Sequence, residues 1–562
     1  MSNIFGNLNG IAAGIYQLVR QEFLDRPLPE PVNDAKNLTY KSSLPGAVAT
    51  SLQTVLERDI NLADFATLRD AINALPDTGG VINVPYGRYP AGVWKYDTDY
   101  MGKVNVTLRG QQMPAFSPTA DRLVGGSIIE GRFNVFAHGF TVENLGFDCG
   151  KYVVDAYFGG ADTHAANHPN GATWDAFAFA QPNQAAPLPA RRNLTVRNVI
   201  ALNRDSASVG HGVLLEGFDG AVIENVTGMY GIHPMVVKGK NVRGTHIAGW
   251  AASGNQVIFK SDSYAHGGNI KFDSVEGGFA PPGVTPWSAP AVASYGLLLN
   301  PATDHMDTIK IGSLRMGGAL QLLAANSAQA KNLDNVMIGN IELEGSGTGN
   351  SSGINLAQSV NYSRVRLGRT TISNTKDGVA YYQAYQFLAP DAIEIESVTL
   401  ETLALRGIQA LGYGRVKIGR LRAVSVNTLY AIADTARVLV GKEESLSITT
   451  KFENGPTLAA GWAQHPGASK FDIRLDNYGV RVTGLVKPTA GTATGDVINL
   501  PPYLRTVDAT RRLAYGANGT GVTTPVLVNI DGAYTKLAIN NGTNFVGAET
   551  YLSLDGISYP ID

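Results

Sequence analysis

The chain has 562 residues, of which 44% are apolar and 16% charged, so it is too long for one compact core and too apolar to be disordered. A net charge of −2 gives no overall attraction to nucleic acid or to membrane surfaces, and no apolar run reaches the roughly 18 residues of a transmembrane helix. We therefore expect neither a nucleic-acid partner nor a membrane partner. The single cysteine, Cys149, excludes an intrachain disulfide, and the 64 glycines predict many tight turns between short strands.

Residues 1–60 differ in character from the rest of the chain. Apolar residues recur at helical spacing from Gly10 to Asp25, and the prolines from Pro27 to Pro31 then end that helix and leave an extended linker. Such a segment suits attachment to another protein, or a simple N-terminal cap on the fold that follows. The first residues lack the basic and apolar regions of a signal peptide, which predicts synthesis and retention in a cytoplasm.

A predicted β-helix with its capping helix spans residues 61–451. The apolar spacing predicts a helix over 64–75, followed by a strand that begins at Gly79 and ends in Pro85-Tyr-Gly-Arg-Tyr89. Beyond residue 104, a short strand with alternating apolar residues recurs every 22–29 residues, apart from one step of 39. These predicted strands lie at 194–199, 221–226, 245–250, 270–275, 309–314, 336–341, 365–370, 393–398, 416–421 and 438–443.

Strand alternation predicts one buried face, and recurrence at this period predicts coils that stack on one another. The sequence therefore predicts an all-β protein built on a parallel β-helix, right-handed because parallel crossovers almost always are. Two long loops interrupt the stack, at 152–193 and around the proline-rich 279–287. Residues 452–478 read as a linker, and 479–562, with alternating strands and frequent turns, predict an antiparallel β-sandwich.

The capping helix followed by Gly79-Gly80 and by Pro85-Tyr-Gly-Arg-Tyr89 resembles the opening of the pectate-lyase-like β-helix superfamily. The Gly-Asp-Gly-x-x-Asp-Asp stretch that is usual in that opening is replaced here by 58–64. The order of segments, together with Leu552-Ser-Leu-Asp-Gly-Ile-Ser-Tyr-Pro near the end, resembles bacteriophage tailspikes, which are polysaccharide depolymerases.

This resemblance implies a homotrimer on a virion, attached to phage tail or baseplate proteins through its N-terminus. It implies binding and cleavage of a bacterial surface polysaccharide, whether capsule, O-antigen or exopolysaccharide, without a cofactor. The C-terminal sandwich would then trimerise or bind carbohydrate.

A second strand pattern locates a candidate site. The segments 211–216, 233–238 and 255–260 follow one another at steps of 22 residues, and 295–300 repeats the pattern after the proline-rich loop. Stacking is expected to place His211, His233, Asn255 and Tyr295 in one column, and Glu216, Lys238, Lys260 and Asn300 in a second. The second column should point outward, either as a functional site or as an ordinary solvated face.

Glycoside hydrolysis needs two carboxyl groups that flank the bond, about 6.5–9.5 Å apart in inverting enzymes. Glu216 and Asp262 would lie two rungs apart, roughly 9–10 Å along the axis, and form the predicted pair. His211 and His233 complete the predicted catalytic residues. The predicted substrate-binding residues are Lys238, Lys260, Tyr264, His266, Asp175, Trp174, Trp250, Trp287 and Tyr295. For each aromatic residue, packing is the competing role.

Two alternatives stay open. A polysaccharide lyase would use His211, His233 or Tyr264 as base, and Lys238 or Lys260 to neutralise a uronate. A non-catalytic adhesin would use the same face only for binding. Gly210-His211-Gly212 resembles a motif of β-helix polygalacturonases, but the aspartate motifs that accompany it are missing. His164 and His168 lie four apart on a loop instead of a helix, so we expect no metal site.

Overall fold

The computed structural model describes residues 39–40, 50–51, 59–92, 102–149, 175–180, 189–203, 210–250, 254–261, 268–281, 295–301, 305–317, 319–322, 331–345, 352–356, 360–375, 377–381, 393–411, 414–433, 436–453, 456–460, 462–464, 471–476, 479–489, 492–493, 496–501, 504, 511–517, 523–530, 536–539, 545–546, 551–555 and 557–559. The chain divides into two units, Met1–Ile60 and Asn61–Asp562. The helix predicted within residues 10–25 lies outside the described residues.

In the first unit, β1 (Thr39–Tyr40) and β2 (Thr50–Ser51) pair antiparallel. The strand β3 (Asp59–Asn61) spans the boundary between the units, and a 3-10 turn (Leu62–Asp64) and the helix α1 (Leu68–Ala74) follow in the second unit. The predicted helix is thus four residues shorter at its start. The reason is the cap at Thr67, whose hydroxyl oxygen accepts the backbone N–H of Asp70 at 3.1 Å and fixes the first helical turn.

The strands of the β-helix follow, and all but two of them pair in parallel with strands of neighbouring coils; β7 and β8 form a separate antiparallel hairpin. Their bounds are β4 (Gly80–Val84), β5 (Gly87–Pro90), β6 (Val106–Gly110), β7 (Ala115–Ser117), β8 (Arg122–Val124), β9 (Ser127–Glu130), β10 (Phe133–Val135), β11 (Thr141–Cys149), β12 (Phe177–Phe179), β13 (Arg191–Asn203), β14 (His211–Met229), β15 (His233–Trp250), β16 (Val257–Ser261), β17 (Gly268–Gly278), β18 (Tyr295–Pro301), β19 (Met306–Met316), β20 (Ala319–Leu322), β21 (Lys331–Glu344), β22 (Ser352–Leu356), β23 (Val360–Ser373), β24 (Asp377–Tyr381), β25 (Ile393–Ala410), β26 (Gly414–Ile432), β27 (Ala436–Leu446) and β28 (Thr450–Phe452).

Each coil contributes to three parallel sheets, which we call A, B and C. In the coil that starts at His211, 213–216 belong to sheet A, 221–224 to sheet B and 226–229 to sheet C. The pairing continues coil by coil as far as β28, so the predicted parallel β-helix is confirmed. Within the described part of the chain, no helix is long and apolar enough to cross a membrane.

Asparagines hold the corners between the sheets. Between sheets B and C, Asn144, Asn198 and Asn225 have positive φ and stack through amide hydrogen bonds of 2.9 and 3.0 Å. Asparagine tolerates the left-handed conformation better than most residues, and its amide can both donate and accept. Each corner residue therefore turns the chain and bonds to the same corner of an adjacent coil.

The interior is filled by stacked apolar side chains. Phe133 and Phe147 lie in one coil and Phe177 in the next, with ring centroids 4.6–6.1 Å apart and planes within 10°. Phe259 stacks in the same way on Phe272, at 5.6 Å. Such rings bury large apolar areas, which gives the solenoid its hydrophobic stabilisation.

One predicted strand, 245–250, is displaced in register by three residues. Gly244 occupies the inward position of sheet B and pairs with Phe272, whereas Ile247 belongs to sheet C and pairs with Val275. The apolar alternation misplaced this strand because the inward residue is a glycine. A Cβ at Gly244 would lie 2.3 Å from the ring of Phe272, so the aromatic side chain of the next coil fills that space.

A buried ion cluster, which the sequence did not reveal, ties the first coils together. The side chain of Asp148 is only 1% exposed and lies 3.2 Å from the guanidinium of Arg88, which also pairs with Glu130. The same carboxylate accepts the backbone N–H of Leu123 at 3.2 Å. Three successive coils are thereby linked through charged side chains.

The C-terminal region is antiparallel, as predicted. Its eight-stranded sheet comprises β29 (Thr457–Leu458), β30 (Trp462–Gln464), β33 (Leu485–Pro488), β35 (Asp496–Asn499), β36 (Arg511–Ala517), β37 (Thr523–Ile530), β38 (Lys536–Ile539) and β40 (Tyr551–Ser553). A three-stranded sheet comprises β31 (Asp472–Asp476), β32 (Gly479–Thr483) and β41 (Ile557–Tyr559), and β34 (Thr492–Ala493) pairs with β39 (Phe545–Val546).

The stretch 452–478 is not the free linker that we predicted. It supplies β29, β30 and β31, whose backbone groups pair with strands beyond residue 479. Short, irregularly spaced strands carry little alternation, so the sequence pattern did not show them. Lys451 joins the last coil to β31, because its ammonium lies 3.1 Å from Glu443 and 2.9 Å from Asp472.

Candidate active site

The two polar columns predicted from the 22-residue steps are present in sheet A. His211 pairs with His233, and Glu216 pairs with Lys238 in the same two strands. Two coils further on, the register pairs Lys260 with Asn300. The stacking prediction is therefore confirmed for these three pairs, of which the first two follow the 22-residue step and the third keeps its register across the longer step that contains the proline-rich loop.

Glu216 lies on the outer face of sheet A. Glu216 is two residues from Leu214, so the two side chains share one face of the strand. Leu214 belongs to a row of buried apolar residues on this face, which is separate from the interior residues Val213 and Leu215. That row comprises Ala178, Ala180, Leu214, Val236, Ile258 and Leu298. An ordinary solvated face would leave such residues exposed, but Leu214 is 1% and Glu216 7% exposed. The outer face of sheet A is thus largely buried, and its charged groups lie along one margin of the sheet.

The charged margin begins with an ion pair between adjacent coils. The ammonium of Lys238 lies 3.1 Å from Oε2 of Glu216, and both side chains are largely buried. The ammonium stabilises the ionised carboxylate through a charge-assisted hydrogen bond. Lys260 and Asn300 continue the column, so Glu216 is the only carboxylate among the four column residues.

At the other end of the same strand, Asp175 holds His211. One oxygen of Asp175 accepts both the backbone N–H of His211, at 2.8 Å, and its ring Nδ1, at 2.7 Å. Asn203 fixes the backbone by donating its amide to the His211 carbonyl at 2.9 Å. This pattern assigns the proton to Nδ1, so Nε2 of His211 is the atom that can take up or release a proton.

His233 lies directly beside this pair, with its ring centroid 5.6 Å from that of His211. Burial lowers the pKa of His233 to about 3, and the charges of His211, Lys238 and Lys260 act in the same direction. Its Nδ1 accepts the backbone N–H of Asn255 at 3.0 Å, which leaves the proton on Nε2. At neutral pH this residue is therefore an uncharged hydrogen-bond donor and not an acid.

Several predicted residues lie outside the described part of the chain: Asp262, Tyr264, His266, Trp174 and Trp287. Tyr295 begins β18 and pairs with Ala319, but its side chain is not described. Among the described residues, no group of three His, Cys, Asp or Glu side chains comes together as a metal site.

Trp250 has a packing role in the structure. It ends the sheet C strand of its coil, and it packs partly buried against a cluster that includes Leu202, Met229 and Tyr230. Its indole also covers Gly278 of the next coil, where a Cβ would lie 2.6 Å from the ring. Its participation in substrate binding stays a prediction.

No family model and no curated protein matches this chain. Among solved structures, it is similar to the tailspike protein of E. coli bacteriophage HK620 in complex with a hexasaccharide, with 10% identity, a TM-score of 0.41, and coverage of 94% of this chain and 98% of that one. It is also similar to a thermostable α-1,3-glucanase from Streptomyces thermodiastaticus, with 13% identity, a TM-score of 0.37, and coverage of 74% and 70%.

A third similar structure is the tailspike protein gp49 from Acinetobacter baumannii bacteriophage Fri1, a capsular polysaccharide depolymerase, with 10% identity, a TM-score of 0.24, and coverage of 94% and 89%. Structural similarity at these sequence identities and TM-scores supports no conclusion about function. The parallel β-helix stands on the strand pairing of the chain itself.

Sequence reasoning placed Asp175 among the substrate-binding residues and missed its contact with His211. It missed Asn203 altogether. Both lie beside the loops that precede β12 and β14, where no periodic pattern predicts which side chains meet.

The pKa of His233 predicts a pH effect on stability. Because the folded value of about 3 lies below the ordinary 6.5, the unfolded chain binds the proton more tightly. Stability contributed by the neutral ring is present above pH 6.5 and is lost as the pH falls towards 3, by about 1.4 kcal/mol per pH unit. When the free energy of unfolding is measured in urea across this pH range, it should fall less steeply with decreasing pH in His233→Gln than in the unmodified protein. The exposed His305 offers the matched control His305→Gln, and equal profiles for all three proteins contradict the prediction.

Proposed function

We propose that this chain is a phage tailspike that binds and depolymerises a bacterial surface polysaccharide, with hydrolysis of a glycosidic bond as its reaction. The observation that carries the proposal is the pair Glu216–Lys238, which is buried on the outer face of sheet A, at the opposite end of the strand from the Asp175–His211 pair. Buried charges cost several kcal/mol in desolvation, whereas the outer position two residues earlier in the same strands holds the apolar residues Leu214, Val236, Ile258 and Leu298. Charges kept at such a cost support a chemical role for this margin.

In the proposed hydrolysis, Glu216 is the base that activates water, because Lys238 holds it ionised. The acid that protonates the leaving oxygen would be Asp262, two coils further along the axis. Asp262 lies outside the described residues, so its distance from Glu216 is the sequence-based expectation of roughly 9–10 Å, at the upper edge of the inverting range. Lys238 and Lys260 would also contact acidic groups of the substrate.

Asp175 does not serve as the second carboxylate in this proposal. It lies beside His211, and His211 is five residues before Glu216 in one extended strand, which corresponds to roughly 16 Å. This distance exceeds the separation of carboxylates in both retaining and inverting glycosidases, about 5–9.5 Å. Its contact with His211 gives Asp175 an orienting role instead.

The Asp175–His211 pair favours a second candidate reaction, β-elimination on a uronic-acid polymer. A histidine whose Nδ1–H is held by a carboxylate presents Nε2 as a base. Nε2 would remove the proton next to the uronate carboxyl group, and the neutral His233 would donate a hydrogen bond nearby. A third candidate, a non-catalytic adhesin, would use the same face for binding alone.

Product analysis separates these candidates. Purified protein is incubated with a panel of capsules, O-antigens and exopolysaccharides, and the fragments are resolved by mass and by ultraviolet absorbance. Hydrolysis adds one water to each cleaved bond and gives no new absorbance. Elimination gives fragments without that water, with a conjugated double bond that absorbs. If the protein binds host cells but releases no fragments, the non-catalytic adhesin is the candidate that remains.

The proposed virion context has a separate test. We propose a homotrimer that attaches to the tail through residues 1–60 and uses its C-terminal sheets for trimerisation or sugar binding. Sedimentation equilibrium of the full chain should give three times the monomer mass of 59.5 kDa. A chain that lacks residues 1–60 should keep its oligomeric state and lose incorporation into phage particles, while a monomer contradicts the proposal.

A further inference from the structure

We propose that a second groove, on the outer face of sheet B, binds an anionic polysaccharide independently of the candidate active site. The groove has a volume of about 930 Å³ and crosses seven successive coils, from Arg243 to Lys417. Six rung spacings correspond to roughly 29 Å along the solenoid. The candidate active site lies on sheet A, so the two surfaces belong to different faces of the β-helix.

Glycines keep this groove open. Gly312, Gly339 and Gly368 occupy the same outward position in three successive coils, at the edge of sheet B. A Cβ at Gly368 would lie 2.0 Å from the carbonyl oxygen of Gly339, so no larger side chain fits without backbone movement. The floor of the groove is therefore backbone, and its wall is the column of long side chains beside it.

That column is cationic over its first three coils. Arg243 pairs in register with Lys271, and Lys271 with Lys310, and all three side chains are exposed. Among the described residues, none of the three has a carboxylate within salt-bridge distance, whereas Arg366 further along pairs with Glu394 at 2.8 Å. Like charges directly opposite on neighbouring strands repel one another. A linear polyanion would relieve this repulsion at each coil.

The neighbouring surface favours a sugar polymer over a nucleic acid. A smaller groove of about 460 Å³ continues from Arg243 and Lys271 and is lined by hydroxyl and amide side chains, among them Thr195, Asn241 and Asn269. These groups suit the hydroxyls of a sugar. Proteins that bind single-stranded nucleic acid stack bases on exposed aromatic rings. Among the described residues that line the large groove, the one aromatic ring is that of Phe272, which is only 3% exposed.

The experiment uses the full chain carrying Glu216→Gln, so that binding is measured without cleavage. The double variant Lys271→Gln with Lys310→Gln is compared with Arg422→Gln with Arg481→Gln, which removes two exposed cations from sheet C and from the C-terminal region. The probes are polygalacturonate, neutral dextran and single-stranded DNA, measured by titration calorimetry at low and high salt. Exposed ion pairs contribute up to about 1 kcal/mol each, so the groove variant should bind polygalacturonate roughly threefold to tenfold more weakly than the control variant.

Three results support the proposal. Polygalacturonate binding is weakened only in the groove variant, it is weaker in high salt, and dextran does not bind. Equal binding by the two variants overturns it, as does tighter binding of DNA than of polygalacturonate. Sedimentation of the groove variant provides a further check, since a changed oligomeric state would make this face an interface between subunits. Cleavage is measured separately, so failure of the proposed enzymatic function leaves the binding result intact.

Discussion

Replacing Glu216 with glutamine is expected to lower the rate of polysaccharide cleavage by about 10²–10⁴-fold and to leave binding largely unchanged, because the amide keeps the shape of the carboxylate but cannot take up a proton. The amide oxygen can still accept the hydrogen bond from Lys238 that Oε2 accepts at 3.1 Å. The turnover number and the affinity for long substrate fragments, measured on the same preparation, separate the chemical step from binding.

The matched control is Glu342→Gln, which makes the same change at an exposed carboxylate of sheet C that pairs with Arg315. Thermal unfolding checks that both variants fold. Unchanged turnover in Glu216→Gln would remove this residue from the mechanism. If instead His211→Asn abolishes turnover, and the products of the unmodified protein absorb in the ultraviolet, the reaction is elimination and not hydrolysis. The same face of sheet A would still carry the active site.

Replacing Arg88 with methionine is expected to destabilise the β-helix by roughly 3 kcal/mol. The substitution keeps much of the side-chain volume, but it leaves the carboxylate of Asp148, which is 1% exposed, without its guanidinium partner. Water cannot easily replace that partner, because the carboxylate of Asp148 is buried on the outer face of sheet C, where it also accepts the backbone N–H of Leu123 from the hairpin. The free energy of unfolding in urea, or the loss of the first transition if the coils unfold in stages, measures the effect.

A second substitution separates loss of the ion pair from loss of packing. Adding Asp148→Asn to Arg88→Met removes the unpaired charge, so the double variant should recover part of the lost stability. Glu130 also pairs with Arg88, but 12% of its side chain is exposed and it can reach solvent. It therefore does not cancel the destabilisation caused by the unpaired charge of Asp148. The exposed pair Arg366–Glu394 offers the control Arg366→Met, expected to cost less than 1 kcal/mol, and an equal loss at both sites contradicts the special role of the buried pair.

The charged cluster, the columns of sheet A and the groove of sheet B occupy different parts of one solenoid. The first coils are linked by the charged cluster around Arg88, the middle coils carry the columns of sheet A, and the groove of sheet B extends from the middle to the later coils. Parallel stacking fixes each outward side chain relative to its neighbours at the rung spacing of about 4.8 Å. A rigid row of this kind can hold several contacts to a linear polymer at once.

The sequence by itself determined the repeating fold and the two columns of sheet A, because alternating apolar residues that recur every 22–29 residues can all be buried when the coils stack. His211 and His233, or Glu216 and Lys238, could be paired by counting 22 residues. The same counting failed at Gly244, where a ring from the next coil fills the inward position and the residue itself carries no apolar signal.

Only the tertiary structure decided which side chains meet across gaps in the repeat. Asp175 and His211 are 36 residues apart, and Arg88 and Asp148 are 60 apart, with no periodic pattern between them. The burial of Glu216 on an outward face was equally hidden, since alternation predicts the direction of a side chain but not what covers it. Local patterns encode the strands and their stacking, whereas a buried contact between charged groups depends on where separate loops and coils converge.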